Sequence, residues 1–433
     1  MKIALVALGK IGLPLAVQFA KKGHHVIGCD VNQRTVDMVN AATEPFPGEA
    51  FLDEYMKEVV ASGHLRATTD TTAAVAECDA VVVVVPLFVD EEGVPDFGWM
   101  DAATEKIAAG LKPGTLVSYE TTLPVGTTRT RFAPALEKIS GLTAGKDFDL
   151  VFSPERVLTG RVFADLRKYP KLVGGFNKQS TDAGIKFYEA VLDFDDRPDL
   201  TTKNGVWDLG TCEASEMAKL AETTYRDVNI ALANQFAIFA EGANIDIAKV
   251  IAASNSQPFS HIHQPGIAVG GHCIPIYPRF YLWNDPQATV VRSARAANAA
   301  MPAHAVELLK QELGDLSGKN IAALGISYRG GVKESAFSGI FPTVTALKAA
   351  GATVLVHDPM YTDQEIIGLG FTPLLLGTPV DGVILQADHA EYKMLTAEDF
   401  PGVKAVVDGR RSLAAKNFPG IPVRVIGAPA QQV

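Results

Sequence analysis

One cysteine stands in a setting that could do chemistry. Cys273 lies in the run Pro265-Gly266-Ile267-Ala268-Val269-Gly270-Gly271-His272-Cys273-Ile274-Pro275. Glycines at 266, 270 and 271 let backbone pass close to a ligand. They place a single thiol in a loop poor in other side chains, where it could act as a nucleophile on a carbonyl carbon. An isolated cysteine is more often a small core hydrophobe; the surrounding glycines favour the nucleophile.

A second set of residues could hold a phosphate. Residues 2–8 read as a buried strand, followed by Ala7-Leu8-Gly9-Lys10-Ile11-Gly12. This is the dinucleotide fingerprint with its first glycine replaced by alanine. Gly9 still admits a pyrophosphate to the backbone, and Gly12 still permits close helix–strand packing. Lys10 and Ile11 fill the turn, and the helix that follows offers N–H groups and a partial positive charge. Asp30 falls about 20 residues downstream, where an acid can bond a ribose 2′-hydroxyl; this favours NAD over NADP. Arg34, one helical turn on, could pair with a phosphate or stand exposed. A nicotinamide site plus a presented thiol suggests a dehydrogenase that carries an alcohol past the aldehyde, holding the carbon on sulfur between two hydride transfers.

These residues need a frame. At 433 residues the chain is too long for one core. Residues 26–30, 80–85, 115–119 and 150–152 read as further strands between helical stretches, which predicts a parallel, doubly wound sheet. Residues 211–241 contain no Gly or Pro and predict one long helix, with a shorter one over 246–253. Residues 289–313 are helical, with a break or kink at Met301-Pro302. From 319 the alternation returns, with strands at 320–325, 353–358, 383–386 and 405–408. The fold class expected is α/β: two Rossmann-like doubly wound domains joined by a central all-helical region. The boundaries expected are 1–204, 205–301 and 302–433.

Bulk properties exclude several classes. The net charge of −10 argues against a nucleic-acid surface. The apolar run 80–89 is interrupted by Pro86 and is far short of a membrane span. The four cysteines, Cys29, Cys78, Cys212 and Cys273, show neither disulfide nor metal-ligand spacing. With no leader-like apolar segment at the start, a reducing cytoplasm is the expected setting, and no metal is expected.

Taken together, the motifs resemble the UDP-glucose/GDP-mannose dehydrogenase family, in order and along essentially the whole chain. The segments are Glu120-Thr121-Thr122-Leu123-Pro124-Val125-Gly126-Thr127-Thr128, Ser153-Pro154-Glu155-Arg156-Val157, Lys219-Leu220, Arg226-Asp227-Val228-Asn229-Ile230-Ala231, Gly270-Gly271-His272-Cys273, Gly325-Ile326-Ser327-Tyr328-Arg329, Gly331-Val332-Lys333-Glu334 and His357-Asp358-Pro359. Their wording is closer to the UDP-N-acetylglucosamine/UDP-N-acetylmannosamine branch than to the UDP-glucose branch.

The resemblance implies two successive NAD-dependent oxidations at C6 of a nucleotide sugar. Cys273 would attack the aldehyde, Lys219 would stabilise the alkoxide or oxyanion, and Glu155 would act as base. Thr122 would fix a water or the nicotinamide region, and Val85 would line the cofactor site. Arg156, Val157, Asn229, Gly266, Gly270 and Gly271 would meet the substrate. The C-terminal domain would bind UDP, with Tyr328 stacking on the base and Arg329 on phosphate. A homodimer burying part of the long helix is also implied.

Several positions depart from the family pattern. Thr223 stands where Asn is usual and Tyr277 where Asp is usual. Phe259 replaces an Arg after Pro258, and Ala336 replaces another Arg. Arg279 and Arg156 could compensate. The readings left open are a four-electron dehydrogenase of a UDP-N-acetylhexosamine or of UDP-glucose, an enzyme stalled at the aldehyde or thioester, and a nucleotide-sugar-binding homologue. The hydroxyacid dehydrogenases related to 6-phosphogluconate dehydrogenase fit less well, needing neither the cysteine nor a second α/β domain.

Overall fold

Short runs of β-branched residues separated by amphipathic helices bury a sheet on both faces, and this chain does so twice. The computed structural model describes residues 1–90 and 93–430. It divides into two units, Met1–Ala221 and Glu222–Val433.

In the first unit, β1 (Lys2–Val6), β2 (His25–Cys29), β3 (Leu65–Thr68) and β4 (Ala80–Val83) begin the main sheet. β5 (Phe88–Val89) and β6 (Pro95–Asp96) form a separate small antiparallel ribbon. β7 (Leu116–Tyr119), β8 (Asp149–Phe152), β9 (Lys171–Gly175) and β10 (Val206–Thr211) complete the main sheet, ordered β3-β2-β1-β4-β7-β8-β9-β10. Leu5, Leu13, Val17, Phe19, Val82 and Val151 are among its core; burying each such side chain contributes about 1.5–3 kcal/mol.

In the second unit, β11 (Asn320–Leu324), β12 (Thr353–His357), β13 (Gly382–Leu385), β14 (Ala405–Asp408) and β15 (Val423–Val425) form a parallel sheet ordered β12-β11-β13-β14-β15. Strand order reverses between β1 and β4 in the first sheet and between β11 and β13 in the second. Ligands bind open α/β sheets beyond the strand C-termini at such reversals.

The helix Cys212–Gly242 contributes to both units, and Ile247–Ser254 follows it. Two expectations are corrected. The first sheet is not wholly parallel: β8 and β9 run antiparallel. The chain between them is long enough to return from either end of the sheet, and the short strand at 171–175 carries no sequence mark of direction. Of the break or kink expected at Met301-Pro302, the break does not occur: the later helix runs unbroken from Thr289 to Leu313. Met301 and Ala305 lie on its buried face, so core packing outweighs the hydrogen bond that proline removes.

Candidate functional site

The cofactor turn keeps the shape that its sequence compromises. Ala7 takes φ +80°, the left-handed conformation usual for the glycine it replaces. A Cβ on Gly12 would lie 2.0 Å from the Ala7 carbonyl oxygen and 2.8 Å from Val84, so only glycine fits there. A Cβ on Gly9 would meet nothing within 4 Å, leaving open backbone before the helix Gly12–Lys21. Asp30, just past β2, accepts the Leu8 N–H on Oδ2 and the Asn32 N–H on Oδ1, both at 2.9 Å. Lys10 and Arg34 are exposed, and Ile11 packs against the core. Val85 is buried, and its carbonyl accepts the Thr121 hydroxyl at 2.7 Å. Open backbone at a helix N-terminus, with a carboxylate beside it, fits a pyrophosphate and ribose.

Thr122 is 4 % exposed, in the segment that leaves β7. That segment is fixed to the long helix by Glu216, whose carboxylate accepts the Gly126 N–H at 2.5 Å, the Thr128 N–H at 2.9 Å and the Thr128 hydroxyl at 2.7 Å. Lys219 is one helical turn beyond Glu216 and is buried. It lies close enough to Glu155 for its charge to help keep that carboxyl ionised.

Glu155 is anchored rather than free. Its Oε1 accepts the N–H groups of Arg156 at 2.6 Å and Val157 at 3.2 Å, and its Oε2 accepts from Lys171 Nζ at 2.9 Å. Lys171 also donates to Glu120 at 2.8 Å, and Glu120 accepts the Tyr188 hydroxyl at 2.6 Å. Arg156 donates to the Pro170 carbonyl at 3.3 Å, and Val157 packs against the core.

The glycine loop is seated within the second unit. The Gly266 N–H donates to Asn234 Oδ1 at 2.9 Å, that of Ile267 to the Gly409 carbonyl at 3.0 Å and that of Gly271 to the Ala336 carbonyl at 3.1 Å. A Cβ on Gly270 would lie 2.7 Å from Tyr328 Cβ, and one on Gly271 3.0 Å from the Tyr328 ring. The glycines therefore let the loop lie against Tyr328, as close approach requires. Cys273 follows, half-buried, its carbonyl accepting the Tyr277 N–H at 2.9 Å at the start of the helix Tyr277–Asn284. Asn229 clamps a neighbouring loop, donating to the His261 carbonyl at 2.6 Å and accepting the His263 N–H at 2.9 Å.

Of the departures, Thr223 is buried, Tyr277 stacks on Phe280 at 5.7 Å, and Phe259 is 91 % exposed. Arg329 is exposed, with Nε 3.2 Å from the Tyr328 hydroxyl. Sequence reasoning passed over Arg410. It lies just past β14, where Nε donates to the Gln386 carbonyl at 2.7 Å and Nη1 would lie 3.2 Å from a Cβ on Gly266. Its position after a strand ending in Asp408 was the available signal. Glu120, Lys171 and Glu216 were also passed over, since only the fold brings their partners together.

Among the described residues no group of three or more His, Cys, Asp or Glu could hold a metal, and no helix is long and apolar enough to cross a membrane.

Comparison with known proteins matches three family models in succession. The NAD-binding domain of the UDP-glucose/GDP-mannose dehydrogenase family covers residues 1–192, its central domain 213–300 and its UDP-binding domain 322–415. The UDP-N-acetyl-D-mannosamine dehydrogenase of Pyrococcus horikoshii is 32 % identical over 420 residues, 95 % of each chain. An NDP-N-acetyl-D-galactosaminuronic acid dehydrogenase of Ralstonia solanacearum is 32 % identical over 96 % of this chain and 97 % of its own. A solved structure of the P. horikoshii UDP-D-ManNAc dehydrogenase superposes with a TM-score of 0.88 at 30 % identity, covering 99 % of both chains. With its α/β fold, its open cofactor turn and these matches along its length, the chain belongs to the UDP-glucose/GDP-mannose dehydrogenase family, a family of nucleotide-sugar dehydrogenases.

Proposed function

We propose that this protein oxidises the C6 hydroxyl of a UDP-N-acetylhexosamine, UDP-N-acetylmannosamine or UDP-N-acetylglucosamine, to the uronic acid in two NAD-dependent steps. The observation that carries the reading is the seating of the glycine loop, which leaves Cys273 half-buried beside Tyr328-bound backbone rather than packed in a core. The names of the P. horikoshii and R. solanacearum relatives support an N-acetylated sugar.

NAD would be held at Gly9 and Gly12 with Asp30 on the ribose, and a fresh NAD would supply the hydride acceptor for each of the two oxidations. The C6 hydroxyl gives its proton to a water that Thr122 would hold, Lys219 stabilises the resulting alkoxide, and loss of the C6 hydride to NAD would give the aldehyde. The aldehyde carbon then accepts the Cys273 thiolate, forming a C–S bond and a thiohemiacetal. Hydride loss leaves a thioester. Glu155 takes a proton from water as that water adds to the thioester carbon; the C–S bond breaks, freeing Cys273 and the acid. Thr122 orders the water or the nicotinamide end. Tyr328, Arg329, Arg410 and Arg156 lie on the substrate side of this reading, with residues 302–433 as the UDP-binding domain and residues 1–204 as the cofactor domain. Residues 205–301 supply the dimer contact. A cytoplasmic homodimer is the setting in which we place it.

Tyr277 favours a second reading. Its ring stacks on Phe280 and offers no carboxylate, so loss of hydrolysis would leave an enzyme that stops at the thioester or aldehyde. Supplying NAD with UDP-N-acetylmannosamine, UDP-N-acetylglucosamine and UDP-glucose, and counting NADH per sugar consumed, decides the matter. Two NADH per N-acetylated sugar with release of the free acid supports the main reading; one NADH with free aldehyde, or a single burst of two NADH per enzyme with the sugar left on Cys273, supports the second. Turnover confined to UDP-glucose, or none, overturns both.

A further inference from the structure

Two carboxylates share one ammonium inside the first unit. Lys171 Nζ lies 2.8 Å from Glu120 Oε2 and 2.9 Å from Glu155 Oε2. Side-chain exposure rises along the chain of contacts: 0 % for Glu120, 5 % for Lys171 and 12 % for Glu155. Only Glu155 reaches toward solvent, at a small cavity that Pro154, Arg156, Pro170 and Lys171 also line. If both carboxylates were ionised, the triad would bury one unbalanced negative charge, which is costly in a low-dielectric interior.

The surroundings decide which carboxylate gives way. Burial pushes Glu120 up to about 7 against the pull of Lys171, with the charge of Glu155 adding to the rise. Burial also acts on Glu155, but Lys171, the Arg156 N–H and Lys219 outweigh it and hold that carboxyl below its ordinary range. Tyr188 is a further titratable neighbour, whose hydroxyl donates to Glu120 and meets Ser118 Oγ at 2.6 Å, and Asp165 and Tyr169 line the cavity beside Glu155. A well-packed apolar trio would stabilise the fold about as well, so stability alone does not explain the triad.

We propose that Lys171 and Glu120 are positioning residues for the acid-forming half of the reaction, holding Glu155 in one orientation and one charge state. This rests on the reading that Glu155 activates the hydrolytic water. Lys171 fixes Oε2 while the loop N–H groups fix Oε1. Glu120 sets how much of the ammonium's field Glu155 receives: ionised, it competes for Lys171, and protonated, it does not.

The two residues therefore act on Glu155 in different pH ranges, Lys171 at the acid limb and Glu120 near pH 7, which a purely structural ion pair would not reproduce. The test is acid formation in single turnover, followed against pH with NAD and the UDP-sugar that the parent consumes. Lys171→Met removes the cation, so the acid limb of the profile moves up by about one pH unit and the rate falls roughly tenfold. Glu120 is already protonated across the acid limb, so Glu120→Gln leaves that limb in place and removes the inflection near pH 7 at which Glu120 ionises and begins to compete for Lys171. Lys171→Arg restores most of the rate lost in Lys171→Met. If Lys171→Met does not fold, the loss of the inflection near pH 7 in Glu120→Gln and the near-parental rate of Lys171→Arg still decide. The inference is overturned if Glu155→Gln slows acid formation while Lys171→Met leaves the acid limb in place, or while Glu120→Gln keeps the inflection near pH 7. Unchanged acid formation in Glu155→Gln overturns the reading of Glu155 itself, and the inference with it.

Discussion

Asp358 holds the turn after β11 as Asp30 holds the turn after β1. Each is the first residue past the second strand of its sheet, and each accepts the N–H two residues past the first strand: Leu8 at 2.9 Å for Asp30, Ile326 at 2.7 Å for Asp358. Their environments differ. Asp30 remains half-buried. Asp358 is 2 % exposed and accepts also from Ser327 at 3.0 Å, Met360 at 2.9 Å and His389 Nε2 at 3.1 Å. One architecture thus serves twice, with the acid partly exposed in the first unit and consumed internally in the second.

That contrast sharpens the cofactor prediction. Asp30→Ala removes both a charge and the acceptor for the Leu8 N–H, so it disturbs the turn itself. Asp30→Asn keeps an acceptor and removes only the charge. We expect Asp30→Asn to weaken NAD binding roughly tenfold and to narrow its advantage over NADP. Titration calorimetry with both dinucleotides measures this; tighter binding of NADP than NAD by the parent protein would contradict the role of Asp30.

Ala7 makes a second prediction about the same turn. An alanine at φ +80° is strained by roughly 1 kcal/mol, while glycine adds a similar entropy to the unfolded chain. Ala7→Gly should therefore be neutral, or stabilising by up to about 0.5 kcal/mol, instead of destabilising as glycine usually is. Ala7→Val should cost roughly 2 kcal/mol, since a β-branched residue resists this conformation. Urea unfolding of the three proteins settles it, and a clear loss of stability in Ala7→Gly would show that the turn is unstrained.

What could be read from the sequence was local. The long helix expected at 211–241 forms as Cys212–Gly242, and the strand expected at 405–408 forms as Ala405–Asp408. Gly, Pro and apolar spacing mark such elements, because each acts within a few residues. The direction of β9 was not legible, since a short strand carries no mark of its pairing. Nor were the partners of Glu155: Lys171 is 16 residues away and Glu120 a further strand back. Arg410 was hidden in the same way, because its nearness to Gly266 depends on the whole second sheet.

Glu120 gives stability a pH dependence with a definite sign. Its folded-state pKa is raised to about 7 from an ordinary value of 4.5, so the folded protein binds the proton more tightly than the unfolded chain. The stabilisation is complete below about pH 4.5 and is lost as pH rises toward 7. Glu120→Gln lacks this loss. The advantage of the parent over Glu120→Gln should thus shrink by on the order of 2 kcal/mol between pH 5 and 7.5. Comparing urea midpoints of the two proteins cancels the histidines, which titrate in both. A difference that is flat or grows with pH would refute the assignment.

Assembly is predicted from one face of the long helix. Tyr225, Leu232, Phe236 and Phe239 are 58 %, 46 %, 37 % and 71 % exposed in the single chain. Their spacing of seven, four and three places them on one stripe. An aromatic stripe of this kind is costly to leave in water, and a two-fold dimer is the commonest way to cover it. We expect a dimer in sedimentation at micromolar concentration, and dissociation in Phe239→Glu. A monomeric parent, or a Phe239→Glu variant that remains dimeric, would remove this stripe from the interface.

The thiol carries the last prediction. Cys29, Cys78 and Cys212 are buried, while Cys273 is half-buried in the glycine loop. Burial pushes the Cys29 thiol up to about 12 and the Cys78 thiol up to about 11, and raises that of Cys212 as well. Since the thiolate is the reactive form, those three are protected twice, by access and by protonation. Limited iodoacetamide treatment should therefore alkylate Cys273 first, at least tenfold faster than the others, as read by mass spectrometry of the digested protein. NAD and the UDP-sugar together should slow it, because the substrate carbon would occupy the place the reagent needs. Cys273→Ala should then lose acid formation while retaining slow aldehyde formation, and Cys273→Ser should accumulate an ester, because an alkoxide leaves less readily than a thiolate. Equal labelling of all four cysteines, together with full NADH production by Cys273→Ala, would mean that the carbon is never held on sulfur.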